Sequence, residues 1–105
     1  MSGNPELDFE KRSRGIVISN LSDSEITIKR VVIYYRYTVA TRKGMGIITS
    51  GTSYASKTGK EVFDINRKIG KGESIFVDFY PTDSVFKIEV SVEFSGSRTT
   101  VTKIF

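Results

Sequence analysis

The chain contains no cysteine and no histidine. Lack of cysteine removes disulfides, thiolate metal sites and thiol nucleophiles. Lack of histidine removes every triad or dyad built on an imidazole base. Carboxylates are then the only strong metal ligands left, which excludes zinc sites of the usual kind. There is no tryptophan. No apolar run approaches a membrane span, since the longest uncharged stretch, Gly44 to Ser56, is polar and too short. No signal-peptide pattern opens the chain. Met1-Ser2-Gly3-Asn4-Pro5 reads as an abrupt or engineered start, with any membrane anchor lying upstream.

What the chain does have is period-two patterning. Phe86, Ile88, Val90, Val92 and Phe94 alternate with Val85, Lys87, Glu89, Ser91, Glu93 and Ser95. Successive side chains of an extended backbone point to opposite faces. The segment therefore reads as a strand with one apolar and one largely charged face, as in an antiparallel sheet wetted on one side. Leu7 and Phe9 alternate with Asp8 and Glu10, and Ile16-Val17-Ile18 follows Gly15. Asn20 to Ser24 is turn chemistry. Glu25 to Tyr37 is the longest strand candidate. Its apolar phase shifts from Ile26 and Ile28 to Val31, Ile33 and Tyr35, which predicts a β-bulge near Lys29 and Arg30; burial of Val32 and Tyr34 as well is the alternative.

Thr38 to Gly44 reads as a basic connection, Gly46 to Thr49 as a short strand, and Gly51 to Lys60 as a mobile polar loop. Glu61 to Ile65 reads as a strand and Gly70-Lys71-Gly72 as a hairpin-type break. Ile75, Val77 and Phe79 share a face. Pro81 to Ser84 turns the chain, and Ser95-Gly96-Ser97 turns it again into a last strand, Arg98 to Phe105. Seven or eight strands spaced about ten residues apart, with no amphipathic helix, predict one domain over residues 1–105. The expected fold is all-β, an immunoglobulin-like antiparallel β-sandwich, with a small barrel as the alternative.

No constellation of residues predicts catalysis. Glu89 and Glu93 share a face about 13 Å apart, beyond the reach of a glycosidase pair. Asp78 and Asp83 flank a turn. Gly70-Lys71-Gly72-Glu73-Ser74 leads into a strand, whereas a phosphate loop enters a helix. The residues therefore give no catalytic, metal or cofactor site and no expected small-molecule substrate, and by themselves they assign no function. The formal charge of +4 permits an anionic partner without requiring one. Tyr34, Tyr35 and Tyr37 lie among Arg30, Arg36 and Arg42, a mixture that can stack bases. A nucleic-acid-binding small barrel is therefore the alternative function, set against tyrosines that fill a core edge. Asn20-Leu21-Ser22 is a glycosylation triplet, with Asn20 as the candidate acceptor.

The last strand alternates Thr99, Val101, Lys103 and Phe105 with Arg98, Thr100, Thr102 and Ile104. Lys103 interrupts an otherwise apolar row, as lysines do where strand edges must not pair. Val101, Ile104 and Phe105 are candidates for a self-association surface that Lys103 moderates. A natural or an introduced lysine would act alike, and a Lys103→Val variant should form larger oligomers by light scattering.

Gly15 to Asn20, Ile26 to Tyr34 and Ile69-Gly70-Lys71-Gly72-Glu73-Ser74-Ile75 together resemble archaeal extracellular β-sandwiches. In particular, residues 15–105 are similar to the soluble domains of archaellum (archaeal flagellar) stator proteins of the FlaG and FlaF type. The resemblance implies a membrane helix upstream and a domain on the extracellular side of the cell membrane. It also implies protein partners in the cell envelope, self-assembly into a homo-oligomer through sheet edges or exposed apolar strand ends, and a bracing role in a rotary motor.

Overall fold

A computed structural model describes residues 5–42 and 52–105. Among these residues seven strands run in order: β1 (Leu7–Arg12), β2 (Gly15–Asn20), β3 (Ile26–Arg42), β4 (Thr52–Ile69), β5 (Ser74–Asp78), β6 (Val85–Phe94) and β7 (Ser97–Ile104). They form two antiparallel sheets, ordered β1-β2-β5 and β4-β3-β6-β7. The fold is the expected immunoglobulin-like sandwich. Its fourth strand lies beside the third, as the added strand does in variable-type domains, and not in the sheet of the first two. Among the described residues no helix is long and apolar enough to cross a membrane.

The core follows from alternation. Ile16 and Ile18 of β2, Ile75 and Val77 of β5, Ile28, Val31 and Ile33 of β3, and Ile88, Val90 and Val92 of β6 are all buried. Removing each such side chain from water contributes about 1.5–3 kcal/mol. The bulge in β3 lies where the phase shift places it. Register changes between Ile28 and Arg30 against both β4 and β6, so Lys29 is unmatched on one side. On the β4 side Asn66 adopts φ 49°, a left-handed conformation that asparagine tolerates.

Three segments depart from the sequence expectation. First, β6 does not alternate to its start. A second register shift lies between Tyr34 and Tyr35, so Val85 turns into the core at 2% exposure while Phe86 is only half-buried. Second, Thr38 to Arg42 is the end of β3, and Thr52 to Lys60 is the start of β4. Residues 36–42 pair with 52–58 in unbroken register. The predicted Gly46–Thr49 strand lies outside the described residues. Third, Gly70-Lys71-Gly72 joins no hairpin, because it carries the chain from one sheet to the other.

Asn20 is also not a surface turn residue, which corrects its reading as a glycosylation acceptor. It is 0% exposed. Its amide nitrogen donates to the carbonyls of Ser24 at 2.9 Å and Ile69 at 3.1 Å, and its Oδ1 accepts from the Ser22 N–H at 2.9 Å. Its backbone exchanges hydrogen bonds with Glu73 and Gly72. Asn20 thus ties together the two crossovers at one end of the sandwich. A glycan on that nitrogen is incompatible with this packing.

Candidate protein-binding edges

β3 and β4 are the long elements, at 17 and 18 residues. β6 pairs with β3 only as far as Tyr35. Beyond it, β3 and β4 continue as a two-stranded arm outside the sandwich. The molecule measures 68 × 25 × 20 Å, with a radius of gyration of 18.5 Å, against about 13 Å for an ordinary domain of this size. Local composition explains why the arm is extended yet was not legible as strand. Thr58, Ser56 and Lys57 suit a pleated backbone that faces water on both sides, and no apolar row betrays them.

Among the described residues β4 is an edge strand, with β3 as its neighbour. Its outer row of backbone N–H and C=O groups is open to an added strand. Val62 on this edge is 48% exposed and Tyr54 is 72% exposed. The inward face of the arm continues the core phase through Tyr35, Tyr37 and Val39. Tyr35 packs against Phe79 at 5.3 Å and Tyr37 at 6.0 Å between ring centroids. Gly59 opposite leaves room for this ring, since a Cβ there would lie 2.8 Å from it and force it to shift. A groove of about 420 Å³ opens at this root, walled by Tyr35, Tyr37, Phe79, Tyr80 and Pro81.

The structure divides the tyrosine–arginine cluster. Tyr35 and Tyr37 face inward. Tyr34 faces outward, where its hydroxyl donates to Glu89 at 2.5 Å and the Lys87 ammonium lies 4.9 Å from its ring centre. That carboxylate, by accepting the hydrogen bond, raises the Tyr34 pKa above its usual value. Arg36 stacks over Phe86 at 4.7 Å. Arg30 binds Asp64 at 2.9 Å, six residues along β3 from Arg36. Arg42 ends β3, far out on the arm. Tyr34, Tyr35, Tyr37, Arg30 and Arg36 do not converge on one stacking platform.

β7 is the other edge of the four-stranded sheet. Val101 is half-buried against the core. Ile104 is 64% exposed on the outer face, opposite Lys87. Lys103 and Phe105 meet each other, with the ammonium 5.7 Å from the ring centre. Lys11 covers the same ring at 4.4 Å while donating to the Val85 carbonyl at 2.8 Å. Phe105 therefore bridges the two sheets, and sequence reasoning did not anticipate Lys11 as its partner. Among the described residues no cluster of carboxylates has the geometry to hold a metal ion. Searches of family models, curated proteins and solved structures return no match to this chain.

Proposed function

We infer that this is a non-catalytic interaction domain that binds protein partners through its strand edges, β4 and its arm first. The observation that carries the reading is the 18-residue β4, which among the described residues has a strand on one side only. An extended partner segment gains main-chain hydrogen bonds along such an edge, and side-chain rows on both faces give it selectivity. The sandwich behind the edge supplies stiffness through its hydrogen-bonded ladders. The finer role, an archaellum stator component outside the membrane that also self-assembles, rests on the resemblance of residues 15–105 to those domains.

Sedimentation over a wide concentration range, alone and with envelope proteins of the source cell, tests the reading. Concentration-dependent complexes weakened by Val62→Lys are expected. A strictly monomeric chain that instead binds short oligonucleotides, with the steep salt dependence of phosphate contacts, overturns it.

A further inference from the structure

The bulge in β3 does more than correct register. In an unbroken strand Lys29 and Arg30 would point to opposite faces. The irregularity between Ile28 and Arg30 turns both outward, and such bulges re-aim side chains next to functional sites. Both line one shallow depression of about 190 Å³, together with Asp64, Asn66, Ser91 and Arg98. The left-handed Asn66 sits on the β4 side of the same irregularity.

Three cations therefore converge on one small concavity with one carboxylate, a hydroxyl and a carboxamide. Arg30 holds Asp64 at 2.9 Å, and Arg98 reaches Glu93 at 3.8 Å. The arginine side chains of these pairs are 55% and 66% exposed. Exposed pairs like these contribute at most about 1 kcal/mol, so either guanidinium can turn to a better acceptor at little cost. The volume equals roughly six waters, enough for a tetrahedral oxyanion.

The geometry points to a binding site for a dianionic oxyanion, a phosphate or sulfate group, held by Lys29, Arg30 and Arg98. Guanidinium groups donate paired N–H bonds to such oxygens. Asn66 and Ser91 supply neutral donors on either side. The site lies on the outer face of the four-stranded sheet and is independent of edge pairing by β4.

Titration of the isotope-labelled full chain with sodium sulfate and with inorganic phosphate tests this, read by amide chemical shifts against sodium chloride at matched ionic strength. Saturable shifts at residues 29, 30, 66, 91 and 98 are expected for both oxyanions and not for chloride. Lys29→Gln and Arg98→Gln should each weaken binding about fivefold, the loss of one exposed ionic contact, with the rest of the spectrum unchanged. Shifts that never saturate, that chloride reproduces, or that survive both substitutions overturn the proposal. If one variant fails to fold, the other decides.

Discussion

Replacing Asn20 by alanine would strand the carbonyls of Ser24 and Ile69 and the N–H of Ser22. Unsatisfied buried groups of this kind cost about 1–3 kcal/mol each when water cannot reach them. With partial rescue by water, Asn20→Ala should lower stability by about 3 kcal/mol and the melting temperature by roughly 10–20 °C, measured by thermal unfolding. The sequence could not disclose this role, because Asn-x-Ser in a turn reads alike whether the asparagine faces water or caps a buried crossover. Gly15 is a second such position. A Cβ there would lie 2.4 Å from the Phe76 ring and 2.5 Å from the Val77 carbonyl oxygen. The backbone contact cannot yield, so Gly15→Ala should be destabilising in the same assay. Tyr34 adds a pH dependence. Its folded-state pKa lies above the unfolded value of about 10. The Glu89 bond therefore contributes in full below about pH 10, and its contribution fades as pH rises through the folded-state value. The stability gap between the native chain and Tyr34→Phe should narrow in alkaline denaturant titrations; a gap constant to high pH contradicts this.

Among the elements, the arm differs most from what patterning implies. Strands with one buried face were legible: the rows of β2, β5 and most of β6 show in the sequence because a core enforces them. The phase shift at Lys29 and Arg30 betrayed its bulge for the same reason. Residues 54–60 have no buried face to enforce a row, so Ser, Lys, Thr and Gly there looked like loop. Val85 misled in the opposite way, since its residue type fits either face and only the second bulge turns it inward. A lone two-stranded ribbon is marginal in water. Amides of residues 36–42 and 54–58 should therefore exchange with solvent far faster than those of Ile88 to Val92, read by hydrogen exchange of the unliganded chain. Equal protection would mean that the arm is supported along its length.

For the whole molecule, charge and shape are both asymmetric. The four strands β3, β4, β6 and β7 carry eleven basic and four acidic residues, while the full chain is only +4. The rest of the molecule is thus net acidic, and the basic sheet is also the one whose long edge strand has no outer neighbour among the described residues. An acidic partner surface would be steered toward it. The bulge cations, the arm and β4 all belong to this sheet, whereas the three-stranded sheet presents short edges. The central claim is that β4 is where proteins dock. Photo-crosslinking from a benzoylphenylalanine at Val62, compared with one at Ser91 in the middle of the same sheet, tests it in cells of the source organism. Protein adducts from position 62 and none from position 91 are expected, whereas equal yields from the two, or no adduct from 62, would contradict the account.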